Sequence, residues 1–164
     1  MSTAIYPGSF DPITLGHLNI IRRASKIFDN VVVCVMVNSA KSPMFSLDER
    51  VELISRVIRR LPNVQVDTSS TLLADYAKRY PNAVLVKGLR AVSDFESEFQ
   101  MALINKKMNP NLDTVFLTSS EKYTYLSSSV VKEMARYGTD LKKFVPMEIL
   151  DDVINRANEK KKEV

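Results

Sequence analysis

Residues 3–17 read TAIYPGSFDPITLGH, an apolar run broken at Pro7-Gly8 and followed, after a loop, by the start of a helical pattern at Thr14. Thr3, Ala4, Ile5 and Tyr6 predict a strand over 3–6. Thr14 is placed to cap the helix that follows, while Gly8 and Gly16 leave room for an anion near the backbone N–H groups at its positive end. His17, the only histidine of the chain, then projects from the first helical turn. There it can offer a ring N–H to an oxygen that gains charge during phosphoryl transfer. A tight turn followed by an ordinary helix-end histidine is the plainer alternative for the same residues.

Working outward, apolar β-rich runs alternate with segments of helical period. Further strands are expected over 31–37, 64–66, 83–87 and 114–118. Leu18, Ile21, Ala24, Ile27 and Phe28 share one face of the first helix. A capping box over 46–49 opens the second, which turns Val51, Ile54, Val57, Ile58 and Leu61 inward. Leu73, Tyr76, Ala77 and Tyr80 mark a third, and a second capping box over 93–96 starts a fourth. A helix over 127–137 ends at Gly138, and Pro146 opens the last, with Ile149, Val153, Ile154 and Ala157 on its inner face. This alternation predicts an α/β protein with a doubly wound five-stranded parallel sheet, helices on both faces, and ligands at the edge where the strands end.

The length of 164 residues suits one domain over 1–164, with a C-terminal helix and solvated tail from about residue 146. The only cysteine, Cys34, lies inside the run VVVCVMV, reads as a small buried hydrophobe and suits a reducing compartment. The N-terminus lacks the basic and apolar regions of a secretory signal, and no apolar run approaches membrane-spanning length, so a cytoplasmic location without membrane attachment is expected. The net charge of +4 suits polyanions or small phosphates. A nucleic-acid-binding module would interleave basic and aromatic residues on one face, and this chain does not.

Each remaining strand exit carries candidate residues. The loop over 38–45 holds one cation, Lys41, at the same sheet edge as His17, where it can neutralise a phosphate nucleophile. After the fourth strand, Lys87 and Arg90 flank Gly88 and can clamp phosphate oxygens. Glu98 follows Asp94 on one helix face, as a nucleoside contact or as ordinary surface. After the fifth strand, Ser127, Ser128 and Ser129 can cap a helix and also hold phosphate at its positive end. No Ser/His/Asp relay and no Cys/His metal cluster is recognisable, so no protein side chain is assigned to a metal.

The string GSFDP followed by TxGH, directly after a first strand, resembles the signature of nucleotidyltransferases. Together with PMFSLDERVEL (43–53), KGLRAVSDFESE (87–98) and YLSSSVVKEMAR (125–136), it narrows the resemblance to the phosphopantetheine adenylyltransferase family. Nearly the whole chain is covered. The resemblance implies a Rossmann-like fold and transfer of the adenylyl group of ATP to 4′-phosphopantetheine, yielding dephospho-coenzyme A and pyrophosphate with Mg²⁺ assisting. It implies that His17 contacts the α-phosphate, and that Lys41 holds the nucleophilic phosphate and steadies the transition state. Ser9, Phe10, His17, Gly88, Leu89, Arg90, Glu98, Tyr123, Thr124, Tyr125, Leu126, Ser127, Ser128 and Ser129 would bind ATP; Ser9, Lys41, Leu73 and Lys87 would bind the acceptor. A homohexamer and feedback by coenzyme A are implied in the same way. Ser9, Lys87, Tyr123 and Thr71 stand where the family more often has threonine, arginine, tryptophan and glycine. Another small nucleotidyltransferase, making cytidylyl or nicotinamide products, is the rival reading, against which the KGLRAVSDFE segment speaks.

Overall fold

Side chains alternate across a strand, so a strand apolar at successive positions must be buried on both faces. In the computed structural model, which describes residues 1–37 and 42–162, β1 (Thr3–Gly8) and β2 (Asn30–Met36) are such strands. Ala4, Tyr6, Val31, Val33 and Val35 enter one core, whereas Ile5, Val32 and Cys34 enter a second. With β3 (Val64–Ser69), β4 (Ala83–Leu89) and β5 (Asp113–Thr118) they form a five-stranded, all-parallel sheet in the order β3-β2-β1-β4-β5.

The first core is closed by α1 (Leu15–Ile27), α2 (Leu47–Ile58), α5 (Ser128–Arg136) and α6 (Leu150–Lys162), which contribute Ile21, Ile54, Val131 and Val153. The second is closed by α3 (Leu73–Tyr76), its 3₁₀ extension Ala77–Arg79, and the neighbouring α4 (Val92–Met108). The Ser46 cap of α2 has the reciprocal bonds read from sequence: Glu49 N–H donates to Ser46 Oγ at 3.2 Å, and Ser46 N–H to Glu49 Oε2 at 2.7 Å. Helix α5 ends on Gly138, whose φ of 71° no bulky side chain accepts readily; Gly138 N–H donates to Ala135 O and Thr139 N–H to Met134 O.

Three expectations are corrected. The fourth helix starts at Val92 with Ala91 as a cap residue that makes no side-chain bond, so Ser93 lies inside the first turn; instead Asp94 reaches back to accept from Arg90 N–H at 3.1 Å. Ile27 and Ile154 do not face the core, being 60% and 37% exposed. Ile27 is the last residue of α1, where the chain leaves for β2; at the other end, Leu150 fills the inward position. Strands β1, β3 and β4 run two or three residues past their expected ends, because parallel pairing continues through Gly8↔Val35, Met36↔Ser69 and Leu89↔Thr118 whatever the side chains.

One detail of register opens the site. Strand β1 pairs with β2 up to Gly8, yet with β4 only up to Ile5↔Leu85. Pro7 brings no backbone donor to either ladder. Past Ile5 the two central strands diverge, at the point where the winding of the sheet reverses direction, and such a crevice is where open α/β sheets bind ligands.

Candidate active site

The crevice is a cleft of about 250 Å³ whose walls include Gly8 and His17 on one side and Lys87, Gly88 and Arg90 on the other. Glu98 of α4 and Tyr123, Leu126 and Ser127 of the segment entering α5 also line it. Eight of the residues singled out from sequence, counting His17, Lys87, Gly88, Arg90, Glu98, Tyr123, Leu126 and Ser127, therefore meet in one place.

His17 is held from below. Thr14 N–H donates to its Nδ1 at 3.1 Å, while His17 N–H donates to Thr14 Oγ1 at 3.2 Å, a capping box in which histidine takes the usual Glu position. A nitrogen that accepts a backbone N–H carries no proton, so the ring proton sits on Nε2. Phe10 packs edge-on beneath the ring at a centroid distance of 5.0 Å and stands edge-on to Tyr6 as well. Burial, followed by the nearby Arg90 guanidinium, pushes the imidazole from 6.5 down to about 4. His17 is thus a neutral donor near neutral pH, with its one lone pair occupied.

Backbone donors are fewer at α1 than the sequence suggests. Leu15 N–H is taken by Phe144 O at 2.9 Å, His17 N–H by Thr14 Oγ1 and Leu18 N–H by Thr14 O, which leaves Gly16 N–H open among the described residues. Gly8 serves packing: a Cβ there would meet the Phe10 ring at 3.0 Å. Phe10 itself is 2% exposed, so only its backbone is available to a ligand.

The cations of the cleft are already paired. Lys87 Nζ lies 3.1 Å from Glu98 Oε2. Arg90 spends its fork on Asp94, at 2.9 Å and 3.3 Å, and Nη1 on Leu126 O at 3.3 Å. Hydrogen bonds from Arg90, and its charge, hold the Asp94 carboxyl below the usual range despite partial burial. Two cations face two carboxylates, so the cleft carries little net charge and a phosphate must exchange partners with Asp94 or Glu98 to enter.

A second pocket of about 170 Å³ takes in Ser9, Ser128 and Ser129, which follow Gly8 and Ser127 of the cleft along the chain. Asp11, without a role from sequence, is its hub: 5% exposed, it accepts from Phe45 N–H at 2.9 Å, Met44 N–H at 2.8 Å and Lys132 Nζ at 3.0 Å. These partners lie 33 to 121 positions away, so no local sequence signal could reveal them. Arg50, also missed, is 6% exposed and donates to Ser9 O at 2.9 Å. Leu73, Leu89, Thr124 and Tyr125 are not gathered in. Leu73 packs on the second core, Leu89 stays in the β4–β5 ladder, Thr124 is exposed, and Tyr125 leans outward on Phe144. Lys41 lies outside the described residues. Among the described residues no cluster of three metal-ligating side chains occurs, and no helix is long and apolar enough to cross a membrane.

Comparison with known proteins gives the same neighbourhood. A cytidylyltransferase-like family model matches residues 5–134. The chain is 54% identical over 161 residues to a phosphopantetheine adenylyltransferase of Clostridium botulinum, covering 98% of each chain. It is 53% identical over 160 residues to that of Clostridium tetani, covering 98% of this chain and 100% of the relative. Among solved structures, a putative nicotinate-nucleotide adenylyltransferase from Vibrio parahaemolyticus superimposes with a TM-score of 0.68 at 20% identity, over 94% of this chain and 95% of the other. The nicotinic acid mononucleotide adenylyltransferase of Plasmodium falciparum, complexed with NaAD, gives 0.67 at 15% identity over 98% and 96%. At those identities the likeness is one of fold, and the fold is the Rossmann-like one of nucleotidyltransferases.

Proposed function

The chain belongs to the phosphopantetheine adenylyltransferase family, and from that premise we propose that it moves the adenylyl group of ATP onto the phosphate of 4′-phosphopantetheine, forming dephospho-coenzyme A and releasing pyrophosphate. The acceptor oxygen attacks the α-phosphorus, the bond to the β-phosphate oxygen breaks, and its electron pair leaves with pyrophosphate. The observation that carries this reading is the state of His17, a neutral ring with its donor at Nε2 and its Nδ1 occupied. Such a group is unsuited to taking a proton and well suited to stabilising charge on an α-phosphate oxygen. No base is required, since a phosphate monoester is already nearly doubly ionised at neutral pH. Alignment and charge neutralisation then supply the catalysis.

In this reading the nucleotide lies in the cleft. Gly88 and Arg90 hold it from β4, Glu98 from α4, and Tyr123, Leu126 and Ser127 from the opposite wall, with Ser128 and Ser129 nearby; Leu89, Thr124 and Tyr125 would contribute only after local rearrangement. Phe10 supports His17 from beneath and offers its backbone. Ser9 and Lys41 meet the acceptor phosphate, Lys87 faces it once freed from Glu98, and Leu73 contacts the pantetheine arm. Mg²⁺ is assigned to the triphosphate, because Asp94 and Glu98 are occupied by Arg90 and Lys87 and fit poorly as metal ligands.

A cytoplasmic homo-oligomer, a hexamer by family, and feedback binding of coenzyme A complete the proposal. The oligomer has physical support in α4, whose Phe95, Phe99, Met101, Leu103, Ile104 and Met108 are 42 to 57% exposed. The accessible surface of 9501 Å² is also larger than the roughly 8,200 Å² expected of a compact monomer of 18.6 kDa. The acceptor is tested by supplying ATP, Mg²⁺ and either phosphopantetheine or nicotinate mononucleotide, and assaying pyrophosphate. Release with phosphopantetheine alone is expected; release only with the other acceptor would sink the assignment.

A further inference from the structure

Among the described residues two tyrosines are buried, Tyr76 and Tyr6, and only one has its hydroxyl met. Tyr76 O–H donates to Asp67 Oδ2 at 2.7 Å and lies 3.2 Å from the Tyr80 hydroxyl. Tyr6 is 6% exposed, and among the described residues its O–H has no hydrogen-bond partner. A buried tyrosine ordinarily finds a partner for its hydroxyl, and a phenylalanine would fill an apolar place without an orphaned O–H. The nucleotide and acceptor contacts proposed above ask nothing of this group.

Its place in the fold puts that hydroxyl at the cleft. Tyr6 is the first residue of β1 beyond the last pair with β4, Ile5↔Leu85, so it stands where the two strands part. The O–H lies beside Gly88 of β4: a Cβ on that glycine would stand 3.9 Å from it and 3.0 Å from Ile20 Cγ1. Tyr6, Ile20 and Gly88 all line the cleft, and the bare glycine leaves the hydroxyl within reach of a ligand. The Tyr6 ring packs edge-on against Phe10 at 5.3 Å, with the His17 ring 6.4 Å away on the same support. Burial raises the phenol far above its ordinary range, against the pull of Arg90 and with a smaller push from Glu98. Tyr6 is therefore a neutral donor, the second in the cleft after His17, where Lys87 and Arg90 are both spent on carboxylates.

We infer that the Tyr6 hydroxyl is a fixed hydrogen-bond donor to the nucleotide, meeting an oxygen at the end where the ribose joins the α-phosphate. The inference rests on the nucleotidyl-transfer reading, which lays the nucleotide against Gly88 and its α-phosphate against His17. The hydroxyl lies beside the first, and its ring neighbours the second, so the group it meets is the α-phosphate or the ribose bonded to it. Both present an oxygen to which a phenol O–H can donate. A neutral donor suits this place, because it holds an oxygen without first having to leave a carboxylate, as Lys87 and Arg90 must. Packing on Phe10 fixes the ring, so little side-chain freedom is lost when the ligand arrives.

Titration calorimetry of the full chain with ATP and Mg²⁺, and separately with adenosine, tests this contact without any acceptor, and steady-state turnover is measured alongside. Tyr6→Phe keeps the ring on Phe10 and removes one oxygen. It is expected to weaken ATP binding by about tenfold. The melting temperature of the nucleotide-free protein should stay the same or rise, because the hydroxyl has no partner to lose. Adenosine weakened as much as ATP assigns the contact to the ribose. Adenosine unchanged, with ATP weakened or kcat lowered, assigns it to the α-phosphate. ATP affinity and kcat both at wild-type values overturn the inference. A melting temperature that falls in parallel with ATP affinity overturns it too, since the hydroxyl would then be structural. Tyr6-dependent ATP binding without turnover of phosphopantetheine would instead fault the acceptor assignment and leave this contact standing.

Discussion

His17→Gln separates the two roles that the geometry gives this residue. Gln is a natural third residue of a capping box, so it can accept Thr14 N–H in place of Nδ1 and keep α1 capped. It cannot titrate, and it replaces the ring's fixed Nε2 donor with an amide N–H₂ on a flexible stem, whose direction no ring plane sets. In the wild type the folded ring resists protonation, going from 6.5 to about 4, so below its ordinary value the unfolded chain binds the proton more readily. Stability is therefore complete above 6.5 and is lost progressively as pH falls toward 4. Between about pH 7 and pH 5 that linkage amounts to about 2 kcal/mol. Because the chain has a single histidine, no other side chain normally titrates within that interval. Urea unfolding at both pH values, in both proteins, should show the wild type losing about 2 kcal/mol more than His17→Gln. Turnover of the variant at neutral pH should fall by about 10²- to 10³-fold with little change in stability. Parallel loss of stability in the two proteins would refute the protected ring, and equal loss of activity and stability at neutral pH would make His17 structural.

Asp11→Asn should cost about 2–4 kcal/mol in urea unfolding, because Asn cannot accept from both Met44 and Phe45 N–H and leaves Lys132 without its charge partner; a loss under about 1 kcal/mol would show that the hub is dispensable. Ser46→Ala should cost about 1 kcal/mol through the α2 cap alone, with kcat unaltered, since the cap lies away from the cleft. Cys34 is fully buried and its thiol is pushed up to about 11, chiefly by burial, so a thiol reagent at mildly alkaline pH should modify it only after denaturation; rapid labelling of the native protein would contradict that. Ile104→Glu on the open face of α4 should shrink the particle in sedimentation velocity, whereas an unchanged sedimentation coefficient would place the assembly surface elsewhere.

What the sequence disclosed was what local pattern controls. The five strands are at the expected places because runs such as VVVCVMV have no other way to be buried twice over. The Ser46 box and the Gly138 stop are where they were read because caps are decided within a few residues. The box at 93–96 failed for the same reason: Asp94 and Arg90 settle that helix start between them, and Ser93 is left inside it. The site divides likewise. Residues at strand exits converge because the sheet is parallel, which explains His17, Lys87, Gly88 and Arg90. Asp11, Arg50 and Lys132 were illegible because their meaning lies in partners dozens of residues away. Leu73 is given to the acceptor by resemblance alone, and in the fold it is partly buried against the second core.

The central claim, direct adenylyl transfer between two phosphates, is tested most directly by following ATP labelled at the α-phosphorus through a single turnover with phosphopantetheine. The label is expected to pass into dephospho-coenzyme A with none held on the protein at any time, and that transfer should nearly vanish in His17→Gln. Label appearing on the protein, or released as AMP while phosphopantetheine stays unmodified, would contradict the account.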